Sequence, residues 1–469
     1  MDAWVDAHAE EIVRAIQEVL RIPSVKDLPT AGTNAPFGQP VADALEHTLT
    51  LCRTLGMRTE NFDGFAGHAE FGEGEEIVGV LGHLDVVPPG KDWTVDPWGG
   101  LIEDGWLFGR GASDDKGPTY AALFAARAVL DVTRNAGIPL TRKVRLIFGC
   151  DEESDWKCME HYFGAAGQVK PTVAFTPDAD FPLVYAEKGS FTGVVERPVP
   201  EDAGRSLYVS SFHAGLRANM VPDEAVARLR GDAEVRDLAA HVLARMPNIT
   251  VSTDGDTLVV HARGVSAHGA SPQEGTNAAV VLMRALTDNS SAFDDLSGTD
   301  FAWMEDLTRR AAPDGSALDI AGTDGIGTPL TSNLGIVHLD TGTVRATFNV
   351  RYPVTWDGEA TIGRFAAALA SSGWSICHRS HTPSLYVPQD REPVKTLLRV
   401  YREQTGDLRE PLAMGGRTYA TSVAPVGVAF GPGMPEDPEV AHRADERIRV
   451  DRLLQCVRIY AHAIYELAK

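Results

Sequence analysis

The sequence predicts an α/β protein of two domains, the first interrupted by the second. Three observations carry this. A chain of 469 residues exceeds the length at which one hydrophobic core keeps growing, so it divides. Its first part alternates helical periodicities with short apolar strands, as in a parallel sheet flanked by helices. Past "YAEKGSF" the texture becomes one of alternating strands, and from about "SLYVPQD" the first texture returns. These changes place a discontinuous domain at residues 1–187 and 382–469 and an α+β insert at 188–381.

The elements follow in order. "MDAWVDAHAEEIVRAIQEVLRIPSV" repeats its apolar residues at helical spacing and has neither a basic n-region nor an unbroken apolar h-region, so it reads as a folded amphipathic helix. Next come the apolar strand "EIVGVLG", a helix "GPTYAALFAARAVLDV" opened by Gly117 and Pro118, and the strands "KVRLIFGC" and "TVAFTP". The insert carries strands such as "TLVVHARGV" and "TVRATFNVRYPV", suited to antiparallel pairing, and helices such as "NAAVVLMRALTD". Two helices, "EPVKTLLRVYREQTG" and "DRLLQCVRIYAHAIYELA", complete the chain.

Charge and cysteine usage narrow the function. Forty-three Lys and Arg against sixty-five Asp and Glu leave a formal charge of -22, which repels phosphate backbones and anionic headgroups and argues against nucleic-acid or membrane partners. No apolar run approaches the ~20 residues that cross a bilayer. A cytoplasmic protein is expected. Five scattered cysteines without a Cys-x-x-Cys pair argue against a disulfide framework and against a thiolate zinc site. A metal here would be held by nitrogen and oxygen.

Polar clusters follow three strand candidates: His83 and Asp85 in "GHLDVVPPG", Asp151, Glu152 and Glu153 in "DEES", and Asp178 in "TPDADFP". A fourth, Asp114 and Asp115 in "GRGASDDKGP", leads into a helix. Alone, a histidine at a strand end is more often structural, and acids before a helix are more often caps or dipole partners. "GRGASD" lacks the third glycine and the Gly-Lys-Ser/Thr ending of a phosphate loop. Together, however, the clusters gather beyond the carboxyl ends of strands, where open α/β sheets bind ligands. Their nitrogen and carboxylate donors suit zinc, manganese or cobalt in a hydrolytic site.

The motif series "GHLDVVPPG", "GRGASDDKGP", "DEES" and "TPDADFP" resembles that of the M20 metallopeptidase family, and within it the bacterial PepV-type dipeptidase branch. The resemblance runs along nearly the whole chain, including "LRIPSV" near the start and "SLYVPQD" near the end. It implies a zinc-peptidase-like catalytic domain, whose mixed sheet is flanked by helices, interrupted by a lid domain of ferredoxin-like character. It also implies a monomer. Two divalent ions, zinc first and manganese or cobalt as alternatives, would be held by His83, Asp114, Glu153, Asp178 and His442, with Asp114 bridging. Glu152 resembles the general base, and Asp85 the carboxylate that orients His83. In the insert, His268 resembles the histidine that polarises the scissile carbonyl, while Asn219 and Arg351 resemble substrate-binding residues, the arginine gripping the free carboxylate. The branch usually shows three glycines before Thr-Tyr-Ala; here "MGGRTYAT" puts Arg417 in the third position, which would narrow the pocket or favour an acidic side chain.

The function implied is hydrolysis of dipeptides with a free amino terminus. An N-acyl amino acid deacylase would use the same ligands, and a metal-binding protein without catalysis would keep the ligands but has no need of Glu152 and His268. A nucleotide-binding oxidoreductase fits the α/β texture and not the glycine pattern.

Overall fold

The computed structural model describes residues 1–199, 206–289, 301–340 and 342–469. They gather into two compact units: Met1–Glu187, Leu385–Ala413 and Arg417–Lys469 form the first, and Lys188–Ser384 with Met414–Gly416 the second. The sequence reading ended the insert at residue 381. The strand Ser375–Thr382 instead pairs with Gly189–Pro198 to its last residue, Thr382 facing Ser190, with one register shift between Val194 and Val195, and the Ser384 hydroxyl donates to the Val354 carbonyl at 2.7 Å. The return of Met414–Gly416 to the second unit is fixed by a backbone bond, Lys188 N to Met414 O at 3.1 Å, of which periodicity gives no sign.

In the first unit the sheet runs Arg58–Phe62, Ala66–Phe71, Lys143–Gly149, Ile77–His83, Val173–Thr176, Gly427–Ala429, Val184–Glu187 and Leu385–Tyr386. The four middle strands are parallel, and the flanks are antiparallel. Every residue of Ile77–His83 is buried, as expected of a strand read from an unbroken apolar run. Two glycines allow its neighbours to close in. A β-carbon on Gly82 would meet the Thr119 hydroxyl at 2.0 Å, and one on Gly149 would meet the Tyr419 hydroxyl at 2.2 Å, so both chain ends beside the polar clusters accept nothing larger.

The helices Asp2–Leu20, Lys116–Ala136 and Val450–Ala468 pack on one another. Lys116 is buried, and its ammonium donates to the carbonyls of Val19 and Ile22 at 3.1 and 2.9 Å. It adds a donor to carbonyls at the end of the first helix that also accept from the Ile22 and Ser24 amides, a placement the helix dipole favours.

The second unit is built on one antiparallel sheet in the order Ile249–Asp254, Thr257–Arg263, Glu224–Gly231, Leu207–Ala214, Thr331–Asp340, Thr343–Tyr352, Gly189–Pro198 and Ser375–Thr382. Its core draws Phe191, Phe212 and Phe348 from the strands and Leu282, Trp303 and Phe365 from the helices Ala278–Thr287, Ala302–Arg310 and Gly358–Ala370. Asn277 starts the first of these helices by accepting from the amides of Ala279 and Val280, as its place before an apolar run foretells. Among the described residues no helix is long and apolar enough to cross a membrane.

Candidate metal-binding active site

Parallel strands end side by side, so the residues that follow them meet however far apart they lie in the chain. His83 is the last residue of Ile77–His83, Glu152 and Glu153 follow Lys143–Gly149, and Asp178 follows Val173–Thr176. Asp114 arrives on the loop before the helix Lys116–Ala136, and His442 comes from near the carboxyl terminus, its backbone in the left-handed region at φ 62. Asp114 lies between the two histidines: Oδ1 is 3.1 Å from His83 Nε2, and Oδ2 is 3.0 Å from His442 Nε2. His442 Nε2 is also 3.0 Å from Glu153 Oε1, and Asp178 Oδ2 stands 4.0 Å from His83 Nε2. Two overlapping donor groups result, His83 with Asp114 and Glu153, and His83 with Glu152 and Asp178.

So many acids in one dry place disturb one another. Burial, with the neighbouring carboxylates adding to it, pushes Glu152 and Asp178 well above the usual carboxylate range and raises Glu153. Asp114 goes the other way: burial would raise it, but its bonds to His442 and His83 hold it below that range. Burial opposes a charge on His83 too, yet Asp114 and Asp85 hold its pKa well above the ordinary value. The bonds to Asp114 and Glu153 push His442 up to about 10. Carboxylates this crowded and buried, set against two histidines, favour the approach of positive charge. All donors are nitrogen or carboxylate oxygen, so the residues fit zinc, manganese or cobalt.

Asp85 meets His83 through both its main chain and its carboxylate. The ring nitrogen Nδ1 of His83 meets the backbone oxygen of Asp85 at 2.8 Å, whereas the carboxylate lies 3.6 Å away. The carboxylate also accepts from the amides of Glu152 and Glu153, at 3.1 Å each. One residue thus fixes the imidazole through its main chain and the two glutamates through its side chain. Asp151, the third acid of that turn, binds Lys26 at 2.8 Å and the Lys157 amide at 3.0 Å. Asp115 begins the helix, as the capping expectation has it, but its carboxylate accepts from the His83 amide at 3.1 Å and the Thr119 hydroxyl at 2.7 Å.

Sequence reasoning missed Glu446. Its buried carboxylate pairs with Arg110 at 2.5 Å. One oxygen also accepts from the amides of Gly111, Ser113 and Asp114 and from the Ser113 hydroxyl, at 2.9 to 3.1 Å. It ties the segment carrying His442 to the loop carrying Asp114. The only sequence signal is an acid four residues after His442, and such acids are common.

The second unit gathers the three residues expected there. The Asn219 carbonyl accepts from the Gly269 amide at 2.7 Å, and Met220 bridges to His268. Arg351 Nη2 lies 3.5 Å from His268 Nε2, and Arg351 Nη1 donates to the Gly415 carbonyl. Residues distant in sequence therefore form one polar corner of that unit.

The chain matches Peptidase family M20/M25/M40 over residues 79–466. It is 40% identical over 472 residues to a Bacillus subtilis (strain 168) protein named "Putative dipeptidase YtjP", covering 98% of each chain. It is 32% identical over 470 residues to "Putative dipeptidase SH1171" of Staphylococcus haemolyticus, covering 99% of this chain and 98% of the other. Among solved structures, human carnosine dipeptidase 1 is similar at TM-score 0.54 with 16% identity, covering 99% of this chain and 98% of that one. The aminoacylhistidine dipeptidase of Vibrio alginolyticus is similar at TM-score 0.54 with 15% identity, covering 97% and 96%. At these identities the structural likeness speaks to the fold.

Two outcomes are expected of the site. Replacing Glu446 by Ala frees the Asp114 loop and should weaken zinc binding, read by calorimetry, by about 10- to 100-fold, the scale for groups that orient ligands; unchanged affinity in a folded variant would contradict this. The second concerns pH. Their carboxylate partners raise the pKa of His83 and push His442 up to about 10, so a cation competes with a proton for each nitrogen. Zinc binding near neutral pH should release protons, and its affinity should climb with pH toward about 10, the value to which His442 is pushed. Affinity that is flat between about pH 6 and 9, where an ordinary and a raised histidine differ, would contradict the assignment.

Proposed function

The chain belongs to peptidase family M20/M25/M40, and from that premise we propose that it is a metal-dependent dipeptidase acting on short peptides with a free amino terminus. The observation that carries the proposal is the pair of overlapping donor groups that share His83, one with Asp114 and Glu153 and the other with Glu152 and Asp178. Relatives named as dipeptidases, aligned over nearly the whole chain, support the substrate class.

In this reading His83 and Asp178 would hold one divalent ion and Glu153 and His442 the other, with Asp114 a ligand shared by both. The ions, zinc first and manganese or cobalt as alternatives, would supply Lewis acidity for peptide hydrolysis. Glu153 already faces His442, which leaves Glu152 for the proton. Burial raises its pKa above that of an ordinary glutamate, the direction that favours a general base. Glu152 takes a proton from the attacking water and delivers it to the leaving amine. Asp85 holds the Glu152 and Glu153 amides, so the base and its neighbour keep their relative placement.

The second unit supplies substrate contacts. His268 donates to the oxygen of the scissile carbonyl as charge builds there. Arg351 receives the carboxylate of the substrate in a planar fork, and Asn219 helps hold the peptide. Recognition of the substrate's free carboxylate by an arginine favours short peptides.

Glu152→Gln keeps the shape and removes the proton acceptor. It should lower kcat by ~100-fold or more with bound metal unchanged. On the wild-type enzyme, amidating the C-terminus of a dipeptide should lower kcat/KM by about tenfold to a hundredfold, the loss of one charge-assisted pair. Glu152→Gln with normal turnover would remove the base assignment. Amidated dipeptides or N-acyl amino acids cleaved as fast as free dipeptides would remove the dipeptidase reading.

A further inference from the structure

The mechanism leaves Arg417 without a role, although it is a cation placed beside the base. Its guanidinium carbon lies 3.6 Å from the ring centre of Trp156, a stacking distance. The indole is itself fixed. Its backbone takes the left-handed conformation at φ 60, which non-glycine residues seldom adopt, and its amide donates to the Asp151 carbonyl at 3.0 Å. The indole N–H donates to the Glu152 carbonyl at 2.7 Å, and Tyr419 packs edge-on at 5.2 Å. A long side chain that would otherwise sample many rotamers is thus held against a rigid plate.

Two carboxylates lie in the field of this cation, Glu152 and Glu187. Glu187 is already engaged by the Thr418 hydroxyl at 2.6 Å, the Thr418 amide at 3.1 Å and the Thr421 hydroxyl at 2.7 Å. The positive charge thus stands near the place where Glu152 works, in a chain whose formal charge is -22. Covering an indole needs no charge, and a methionine or leucine would do so without the cost of desolvating a guanidinium. Stacking, moreover, occupies the face of the guanidinium and directs its N–H donors along the ring plane, the geometry that grips a carboxylate.

We propose that Arg417, stacked on Trp156 beside Glu152, is a specificity-determining residue that selects dipeptides bearing an acidic side chain. This rests on the dipeptidase reading above. The side chains of a dipeptide branch within one residue of the scissile carbonyl on either side, so a cation fixed next to the base meets one of them. Aspartate or glutamate there gains a charge-assisted pair, and lysine or arginine is repelled.

The test is a matched panel on the zinc-loaded enzyme: Glu-Ala against Gln-Ala, Ala-Glu against Ala-Gln, and Lys-Ala and Ala-Lys. The glutamate peptide should exceed its glutamine partner in kcat/KM by about tenfold or more at one of the two positions, chiefly through KM, with the lysine peptide poorest there. Arg417→Gln should bring that ratio to about one, and Arg417→Lys, which keeps charge without the planar fork, should restore part of it. A wild-type enzyme that treats glutamate and glutamine alike would overturn the proposal, as would a ratio that survives in Arg417→Gln. Loss of kcat on every peptide with the ratio intact would also overturn it, because Arg417 would then serve only the turn carrying Glu152. If no dipeptide is cleaved, the dipeptidase reading fails separately. Calorimetric binding of L-glutamate against L-glutamine to the wild type and to Arg417→Gln then decides the matter: a preference lost in the variant supports the proposal, and equal binding overturns it.

Discussion

Mutual repulsion among Asp114, Glu152, Glu153 and Asp178, gathered at the carboxyl ends of the parallel strands, is the constraint to which the rest of the first unit answers. Acids brought this close in a dry site cannot all ionise without compensating positive charge or hydrogen-bond donors. The chain supplies donors at each point where the backbone must hold. Asp85 is gripped by two amides of the glutamate turn, Glu446 by three amides, a hydroxyl and Arg110, and Asp151 by Lys26 and an amide. The acids that remain meet His83 and His442, with Arg417 in the field of Glu152, and this donor set is the right chemistry for divalent ions.

The same constraint explains the surrounding packing. Gly82 and Gly149 let Thr119 and Tyr419 approach the strand ends, and Thr119 in turn donates to Asp115, whose carboxylate also takes the His83 amide. His83 is therefore fixed at its amide, at Nδ1 and by the close fit of its strand. A ligand held at three points loses little freedom when a cation binds, which is how a scaffold turns rigidity into affinity.

Much of this was legible in the sequence, for identifiable reasons. Buried parallel strands read as unbroken apolar runs, so Ile77–His83 and its terminal histidine stood out, as did the acids after Lys143–Gly149 and Val173–Thr176. The antiparallel insert declared itself by alternation. What could not be read was any role set by hydrogen bonds across long sequence separations. Glu446 reaches the Asp114 loop over more than three hundred residues, and no local pattern marks it. Asp85 shows a second limit, since spacing placed it beside His83 but not which of its oxygens would meet the ring. Arg417 was visible as an unusual residue in its loop, yet its stacking on Trp156 depends on a left-handed backbone that "DEESDW" does not announce.

The central claim is that the crowded carboxylates are a site for a pair of cations on which hydrolysis depends. Elemental analysis of the protein, stripped with chelator and then reloaded with zinc or manganese, tests it most directly when hydrolysis of a free dipeptide is followed on the same samples. The account predicts about two ions per chain at full loading, with turnover lost on stripping and regained in step with uptake. Undiminished hydrolysis by ion-free protein, or a folded chain that takes up no ions at all, would contradict it.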